Sequence, residues 1–304
     1  MGFTDIPPET RSAFISIVGR PNVGKSTLLN ALVGEHVAIV SPKPQTTRNR
    51  ITGILTRGEC QFVFIDTPGI HRARTKLGEY MSGEINQGLS DVDAALLVVE
   101  PNGDIHESER LLLERLALQR TPAILVVNKI DTLPRKEQMM ERISAFSAAA
   151  QFSEIVPISA RQGDGIPLLL DLLGSLASPG PHYFEPDTYT EQPERVMVAE
   201  LMREALLLGL GQEVPHGAAV VVERMSEREN GIVDIEVIIY CERETHKGII
   251  VGKGGETIKK MASRARINVE RFLQAKVSLK CWVKVRKDWR NHNGFLREFG
   301  FGKA

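Results

Sequence analysis

Residues 19–26, Gly-Arg-Pro-Asn-Val-Gly-Lys-Ser, have the types and spacing of a loop that cradles nucleotide phosphates. Glycines let backbone N–H groups turn toward a phosphate, and the helix predicted to follow adds the positive end of its dipole. Lys25 is expected to bring an ammonium to the β- and γ-phosphates, and Ser26 a hydroxyl to Mg²⁺. The predicted nucleotide-binding residues of this loop are Gly19, Arg20, Pro21, Asn22, Val23, Gly24, Lys25, Ser26 and Thr27.

Asp66-Thr67-Pro68-Gly69 follows a run of apolar residues that predicts a buried strand. At the end of that strand, the Asp66 carboxylate is expected to hold Mg²⁺ through water, and the Gly69 N–H to meet the γ-phosphate. Asp66 and Ser26 are therefore predicted metal-binding residues, and Asp66 and Gly69 join the predicted nucleotide site.

The segment from Ser41 to Arg50 lacks apolar periodicity, which is typical of a mobile switch loop. Either Thr46 or Thr47 could complete Mg²⁺ coordination when a γ-phosphate is present, and we favour Thr47 as the third metal-binding residue. The polar segment 71–88 is predicted as a second switch. Water is expected to attack the γ-phosphate while loop N–H groups and cations stabilise the developing charge. The predicted catalytic residues are Lys25, Thr47 and Gly69.

Asn128-Lys129-Ile130-Asp131 predicts which base is bound. The Asp131 carboxylate can accept both N–H donors on the edge of guanine, and adenine lacks such a pair, so the motif favours GTP and GDP. Asn128 is expected to brace the loop, and the aliphatic stem of Lys129 to cover the base. Ser159 and Ala160 end a later predicted strand, where a backbone N–H is expected to reach the guanine carbonyl oxygen.

The motifs need a scaffold that brings strand ends together. Short β-branched runs alternate with amphipathic helical stretches from Ser12 to Ser175. This alternation predicts a doubly wound, mostly parallel sheet. Together with the phosphate-loop and guanine motifs, it predicts an α/β P-loop GTPase domain over 1–178. Ligands of such sheets bind at the carboxyl ends of the strands, where each motif lies. The predicted strands cover 14–19, 62–66, 94–100, 123–129 and 155–160.

The composition changes at 179–194, which contains four prolines and predicts an extended, semi-rigid linker. Residues 195–287 then follow the order helix, strand, strand, helix, helix, strand, which is the α+β layout of a type II KH domain. A C-terminal tail, 288–304, completes the chain. This tail either binds RNA or docks as a terminal helix over the core of the KH domain.

Gly252-Lys253-Gly254-Gly255 forms a GxxG turn between two predicted helices of that domain. Glycine suits such a turn because a nucleic-acid backbone must approach main-chain N–H groups closely. Lys280 and Lys284 share one face of the last predicted strand with Trp282, which either stacks on a base or packs in the fold. The predicted RNA-binding residues are Ile250, Val251, Gly252, Lys253, Gly254, Gly255, Ile258, Lys259, Lys280, Trp282, Lys284 and Arg290.

The charges of the chain are unevenly distributed. Its 304 residues include 38 basic and 38 acidic side chains, but residues 241–304 carry 16 basic and 6 acidic ones. This C-terminal excess favours binding to a polyanion, either nucleic acid or membrane headgroups, with a solvated basic face as the plain alternative. Lipid attraction needs charge alone, whereas the GxxG turn favours RNA.

The cysteines and the hydropathy of the chain exclude several classes of protein. Three widely spaced cysteines without a CxxC pair argue against a disulfide framework or a zinc site. The absence of a signal-peptide pattern and of an apolar run of about 18 residues favours a cytoplasmic protein.

The motifs GRPNVGKST, QTTR, DTPG, NKID and PISA, with the KH layout, resemble the Era family of TrmE-Era-EngA-like GTPases. The resemblance implies a GTP-hydrolysing switch that binds the 3′ end of 16S ribosomal RNA and assists maturation of the 30S ribosomal subunit. It also implies a potassium ion beside Asn22. Slow intrinsic turnover is expected because Ile70 stands where Ras-like switches carry a water-orienting glutamine.

The expected state is a cytoplasmic monomer, with peripheral contact at the inner face of the cell membrane left open. The competing interpretation is a nucleotide-dependent binding or membrane-tethered module whose basic C-terminal end meets anionic lipid, and a stand-alone GTPase with unrelated targets is a third.

Overall fold

The structure is a computed structural model that describes residues 10–70, 73, 75–135 and 137–302. These residues form two compact units. The first unit comprises 10–38, 47–70 and 81–191, and the second comprises 39–46, 73, 75–80 and 192–302. The division after residue 191 lies inside the predicted linker. Residues 1–9 of the predicted domain 1–178, residues 303–304 of the predicted tail and residues 71, 72 and 74 of the predicted switch 71–88 lie outside the described residues.

The described chain up to residue 179 alternates strands and helices. Its elements are β1 (Arg11–Gly19), α1 (Lys25–Val33), β2 (Ile51–Arg57), β3 (Cys60–Asp66), α2 (Lys76–Gly88), β4 (Ala94–Val99), α3 (Glu107–Gln119), β5 (Ala123–Val127), α4 (Glu137–Ala149), β6 (Glu154–Pro157), α5 (Ile166–Leu176) and β7 (Ser178–Pro179). The strand order is β2-β3-β1-β4-β5-β6, with β7 beside β1. Neighbouring strands run parallel except in the pairs β2–β3 and β1–β7. The predicted doubly wound, mostly parallel sheet is confirmed.

Both faces of this sheet are buried, because successive side chains of a strand point to opposite faces. On one face, Leu96 and Ile124 belong to a core that includes Leu29 of α1 and Leu169 of α5. On the other face, the core of Leu97 and Leu125 includes residues from α3 and α4. The apolar runs of the central strands are therefore continuous, as the sequence predicts.

The edge strand β2 is absent from the sequence-based prediction. Its sequence, ITGILTR, alternates poorly and has Gly53 in its interior, which weakens a strand signal. The structure explains the glycine: a Cβ at Gly53 would lie 2.6 Å from the Leu29 side chain of α1. Close packing of α1 against β2 therefore requires a glycine at this position. That glycine interrupts the run of side chains from which the strand could have been recognised.

The proline-rich segment after α5 is extended and fixed against the first unit. Gln61 of β3 accepts the backbone N–H groups of Tyr183 and Phe184 at 2.6 and 3.0 Å through its side-chain oxygen. The Ile54 N–H of β2 donates to the Tyr189 carbonyl at 2.8 Å, and the Thr190 hydroxyl donates to the Thr52 carbonyl at 2.7 Å. The segment therefore lies along β2 as far as residue 190.

The second unit has the predicted KH order of elements. These are α6 (Glu194–Gly209), β8 (Ala219–Glu227), β9 (Val233–Cys241), α7 (Glu244–Val251), α8 (Glu256–Leu273), β10 (Val277–Val285) and α9 (Asn293–Glu298). The central strand β9 pairs antiparallel with β8 and parallel with β10. Buried residues of α6, α8 and the sheet form one core. The predicted type II KH fold is confirmed.

Among the described residues, no helix is both long and apolar enough to span a bilayer.

The C-terminal tail packs on the KH unit through an aromatic cluster. Trp289 is fully buried and donates its indole N–H to the Gly217 carbonyl at 2.9 Å. Its ring stacks with Phe301, and Phe299 stacks on Tyr240 of β9 with ring centroids 4.3 Å apart. Of the two predicted alternatives for the tail, docking on the domain core is the one that this packing favours.

Residues 39–46, which include the first six residues of the predicted switch loop 41–50, belong to the second unit. Ile39 lies in the core of that unit. The Lys43 ammonium donates to the carbonyls of Leu207 and Leu210 at the end of α6, and the Arg203 guanidinium donates to the Thr46 carbonyl. These contacts place residues 39–46 against α6.

Candidate nucleotide and nucleic-acid sites

The predicted nucleotide motifs meet at one edge of the large sheet. In the strand register, Gly19 lies opposite Val98, and Val127 lies opposite both Val99 and Pro157. Each strand runs parallel to its neighbour, so the loops that leave β1, β4, β5 and β6 emerge side by side. Asp66 is level with Ile17 at the end of β3, on the other side of β1.

The phosphate loop surrounds a buried ammonium. Lys25 is 6% exposed, and its Nζ donates to the carbonyls of Gly19 and Arg20 at 3.3 and 3.0 Å. Burial lowers the pKa of Lys25 to about 8, although the nearby Asp66 carboxylate raises it. The two carbonyls replace little of the hydration that the Lys25 ammonium loses on burial. An anion such as a phosphate beside it would therefore stabilise the charged form of Lys25.

Three oxygen-bearing side chains converge beside Lys25. The Ser26 hydroxyl donates to Asp66 Oδ2 at 2.7 Å, the Thr47 hydroxyl donates to the same oxygen at 3.2 Å, and the two hydroxyls are 2.9 Å apart. Thr46 lies apart from this cluster, because its hydroxyl donates to the Lys43 carbonyl at 2.7 Å. The structure thus brings together the three residues predicted to bind metal.

This cluster suits Mg²⁺, which prefers oxygen ligands and retains several waters. Asp66 is fully buried, and its Oδ1 has no hydrogen-bond partner among the described residues. Burial raises the pKa of Asp66, while Lys25 and the hydrogen bonds from the two hydroxyls lower it. A buried carboxylate oxygen without a partner is costly, and a hydrated cation would satisfy it.

Asn128 joins three loops at the sheet edge. Its Nδ2 donates to the Val23 carbonyl in the phosphate loop at 2.8 Å, and its Oδ1 accepts the Ala160 N–H at 3.0 Å. Gly24 makes this approach possible: its φ is +99°, and a Cβ there would lie 2.3 Å from Asn128 Nδ2. The predicted bracing role of Asn128 has this geometric basis.

The guanine-recognition residues lie beside Asn128. Asp131 accepts the Ser159 hydroxyl at 2.7 Å, which orients its carboxylate. The two predicted backbone donors already have acceptors, since Ser159 N–H donates to the Asp164 carbonyl and Ala160 N–H to Asn128. A guanine carbonyl would therefore have to share one of these two N–H groups with its present acceptor.

Gly69 lies directly against the phosphate loop. A Cβ at Gly69 would be 2.6 Å from the Pro21 nitrogen, so the backbone of the DTPG motif approaches as closely as a glycine permits. Ile70, which follows it, is 7% exposed and belongs to the core on one face of the sheet. Its side chain packs in that core. This burial explains why the position, which holds a glutamine in Ras-like switches, carries an apolar residue in this chain.

The GxxG turn of the second unit joins α7 to α8. All three of its glycines have positive φ values, +73° at Gly252, +59° at Gly254 and +82° at Gly255. A Cβ at Gly252 would lie 2.1 Å from the Thr257 hydroxyl oxygen, so the turn closes tightly on the first turn of α8. Lys253 is exposed between these glycines.

A groove of about 260 Å³ lies beside the turn, between α8 and β10. Of the predicted RNA-binding residues, Ile258 and Lys259 line it. Ile250 does not, because it is fully buried in the core behind the turn. Sequence analysis missed five further lining residues. Helical spacing could have indicated some of them, because four lining positions of α8 recur on one face of the helix: 259, 262, 263 and 266. The five are Ala262, Ser263, Arg266, Leu279 and Cys281.

The remaining predicted RNA-binding residues lie elsewhere. Lys280, Trp282 and Lys284 are exposed on β10, and they alternate with Leu279 and Cys281, so they occupy the sheet face opposite the groove. Trp282 is 43% exposed. Arg290 forms an ion pair with Glu242 at 2.5 Å. Val251 is half-buried at the end of α7. The predicted set is therefore divided between the end of α7, the turn, the groove, the outer sheet face and the base of the tail.

Two protein families match the chain. One, described as a 50S ribosome-binding GTPase, matches residues 14–129, and the other, a KH domain, matches residues 213–290. The GTPase Era of Ruminiclostridium cellulolyticum is 46% identical over 291 residues, with 96% of this chain and 97% of that protein covered. The GTPase Era of Caldanaerobacter subterraneus subsp. tengcongensis is 48% identical over 292 residues, with 96% and 98% covered.

Two solved structures resemble the chain over 97% of its length and 100% of theirs, each at 33% identity. A variant of Aquifex aeolicus Era bound to GDP·AlF4⁻ has a TM-score of 0.93. Era in complex with MgGDPNP and nucleotides 1506–1542 of 16S ribosomal RNA has a TM-score of 0.91.

Replacing Gly24 by alanine should disrupt nucleotide binding through Asn128. The new Cβ would displace Nδ2 and break its bond to the Val23 carbonyl, so we expect GDP affinity to fall at least about tenfold. Gly34→Ala is the matched control, since Gly34 also has a positive φ, +84°, but nothing lies within 4 Å of its Cβ position. Titration with a fluorescent GDP analogue measures both variants, and equal affinities would contradict the bracing role.

Proposed function

We propose that this chain, which belongs to the GTPase Era family, binds the 3′ end of 16S ribosomal RNA through its KH domain and assists maturation of the 30S ribosomal subunit. The chain is a GTPase with a P-loop domain followed by a KH domain. The proposal extends this family identity to an RNA target, to residue roles and to a link between the nucleotide and RNA sites.

The hydrolytic part of the proposal is carried by one observation: the Ser26 and Thr47 hydroxyls both donate to Oδ2 of the buried Asp66 carboxylate, whose other oxygen, Oδ1, has no hydrogen-bond partner among the described residues. We assign these three residues to Mg²⁺, which when bound supplies positive charge to the phosphates. Lys25 contacts the β- and γ-phosphates, and the Gly69 N–H donates to the γ-phosphate. Together these groups stabilise the charge that develops as water attacks, without a strong side-chain base.

Guanine selectivity is assigned to Asp131. The Ser159 hydroxyl holds its carboxylate in place, which leaves the second oxygen and the remaining lone pairs for the two N–H donors of guanine. Adenine offers no such pair, so its binding would leave a desolvated carboxylate unsatisfied. Asn128 and Lys129 position this loop, with the Lys129 stem against the base.

The groove beside the GxxG turn supports RNA as the ligand of the second unit. Its lining combines the half-buried apolar side chains of Ile258, Ala262 and Leu279, which we take as its floor, with the exposed cations Lys259 and Arg266. Splayed bases can lie on the floor while the cations and the turn's N–H groups meet the phosphates. We assign the outer-face residues Lys280, Trp282 and Lys284 to a separate contact with RNA. Era bound to nucleotides 1506–1542 of 16S ribosomal RNA is a structural relative.

Contacts inside the second unit support a link between nucleotide state and RNA binding. Residues 39–46 are held on α6 through Lys43 and Arg203, and Thr47 follows directly in the sequence. Thr47 lies in the metal cluster, so a γ-phosphate and Mg²⁺ that hold Thr47 there would also restrain a segment attached to the KH fold, and hydrolysis would relax it. We infer that GTP favours RNA binding and that hydrolysis releases the RNA.

The remaining parts of the proposal concern the cell. We propose a cytoplasmic monomer. Peripheral contact of its basic C-terminal part with anionic membrane headgroups is the competing use of the same charge.

Thr47→Ala should weaken binding of a non-hydrolysable GTP analogue by about tenfold in the presence of Mg²⁺, because one hydroxyl of the metal site is lost. GDP binding should change less, since Thr47 is assigned to the state that contains a γ-phosphate. Thr46→Ala is the control: it removes the same hydroxyl one residue away, where the partner is the Lys43 carbonyl. A larger effect of Thr46→Ala would overturn the assignment.

We propose that K⁺ accelerates hydrolysis from a position beside Asn22, whose side-chain carbonyl is an oxygen donor that suits such an ion. Single-turnover hydrolysis should be at least about threefold faster in KCl than in NaCl of equal ionic strength. Asn22→Ala should remove that difference. Equal rates of the parent protein in the two salts would exclude a specific K⁺ ion.

The RNA target is tested with a labelled single-stranded oligonucleotide from the 3′ end of 16S ribosomal RNA. Binding should be tight, sequence-selective and stronger with a non-hydrolysable GTP analogue than with GDP, at two salt concentrations. The opposite outcome is weak RNA binding that is abolished by salt and does not depend on the nucleotide. It would mean that residues 241–304 form only a charge patch and that the GTPase has another target.

The double variant Lys253→Asp, Gly254→Asp tests the turn itself. Repulsion of the phosphates should weaken RNA binding by at least about tenfold while GDP binding stays unchanged. The matched control, Lys253→Asn with Gly254→Asn, has the same shape and no added negative charge, and Asn tolerates the positive φ at 254. Binding to vesicles of anionic phospholipid that exceeds RNA binding would favour the membrane alternative.

A further inference from the structure

Glu100 lies between the phosphate loop and the guanine-recognition loop. It is the first residue after β4, and β4 lies between β1 and β5 in the sheet. Those two flanking strands end in the two loops. No motif of the sequence includes this glutamate, which is why the analysis of spacing did not identify it.

The Glu100 carboxylate binds one cation from each loop. Its Oε2 accepts Arg20 NH2 of the phosphate loop at 3.1 Å, and its Oε1 accepts Lys129 Nζ of the guanine loop at 2.7 Å. The same Lys129 ammonium donates to the Asn22 carbonyl at 2.5 Å. One carboxylate therefore fixes the distance between two loops that contact opposite ends of a nucleotide.

A buried ion pair fixes Glu100 in turn. Arg142 of α4 donates to the Glu100 carbonyl at 3.3 Å, and one of its nitrogens contacts both carboxylate oxygens of Glu109 at 2.8 Å. Arg142 and Glu109 have side chains that are 1% and 0% exposed. Glu109 also lies 3.5 Å from Arg20 Nε, so the network reaches the phosphate loop by a second route.

We propose that Glu100 is a positioning residue that sets how long a guanine nucleotide stays bound. The side chains of Arg20, Glu100 and Lys129 are 26%, 32% and 34% exposed, and ion pairs this exposed add little to overall stability. The two ion pairs of Glu100 instead orient the loops. The bond to Lys129 fixes the aliphatic stem that is assigned to cover the base, and the bond to Arg20 fixes the start of the phosphate loop. Without the carboxylate, Arg20 and Lys129 would repel each other across the site.

This role predicts equal effects on GDP and GTP, because Glu100 holds loops that contact parts common to both nucleotides. The chemical step should be spared, since the groups assigned to the γ-phosphate are Lys25, Thr47 and Gly69. The inference rests on the proposed guanine-nucleotide site, and it adds a residue that contacts neither nucleotide nor metal.

Glu100→Gln is the test. An amide can accept from one cation but turns its NH₂ group toward the other, so one of the two loop contacts is lost. We expect dissociation of a fluorescent GDP analogue and of a non-hydrolysable GTP analogue to accelerate by the same factor, about tenfold. Single-turnover hydrolysis at saturating GTP should stay within about twofold of the parent.

Asp171→Asn is the matched control. It makes the same change of carboxylate to amide in an exposed pair with Arg57, at 2.8 Å, in the same unit, and it should leave dissociation unchanged. A double-mutant cycle separates this role from a general loss of stability. In a Lys129→Met background, Glu100→Gln should have less than about a threefold effect, because one of the two partners of Glu100 is already absent and the amide oxygen can still accept from Arg20.

Dissociation from Glu100→Gln that stays within about twofold of the parent would overturn the inference, as would unequal effects on the two nucleotides. If the variant does not fold, Glu100→Asp serves in its place, because a side chain one carbon shorter cannot reach both cations. Failure of the parent protein to bind guanine nucleotide would contradict the proposed function itself and is thus distinguishable from failure of this inference.

Discussion

The nucleotide site depends on the side-chain amide of Asn128. Its nitrogen and its oxygen are each bound to the backbone of a different loop, Val23 on one side and Ala160 on the other. Phosphate recognition and base recognition come from separate stretches of the chain, so a fixed distance between them must be built by the fold. The amide supplies that distance because it has one donor end and one acceptor end, both buried.

The sheet register explains why the functional residues could be found from the sequence. Strand ends in a parallel sheet are level with one another, so a motif at the end of each apolar run has to join the same site. Lys25, Asp66 and Asn128 were placed by this rule, and the structure brings them together. Apart from β2, the order of strands and helices follows the apolar periodicity, and the five predicted strands of the first unit agree with the observed ones within a few residues.

What the sequence could not reveal depends on the third dimension. Gly53 weakens the signal of β2 because α1 needs the space of its side chain. Ile250 belongs to an apolar run that suits a groove or a core equally well, and burial decides for the core. Arg290 pairs with Glu242, 48 residues away. Lys280 and Trp282 differ from Leu279 and Cys281 by a single step along β10, yet that step separates the two faces of the sheet.

The proline-rich segment that follows β7 has a further consequence for the behaviour of the protein. β2 is the terminal strand of its sheet, and a terminal strand offers unpaired N–H and carbonyl groups to any extended chain that approaches. Residues 183–190 lie along this side of the sheet and take up the Ile54 N–H. This proline-containing segment occupies the edge of β2, so another chain cannot add a strand to the hydrogen-bond ladder of the sheet at that place. The connection between the two folds thereby protects the sheet from edge-to-edge aggregation.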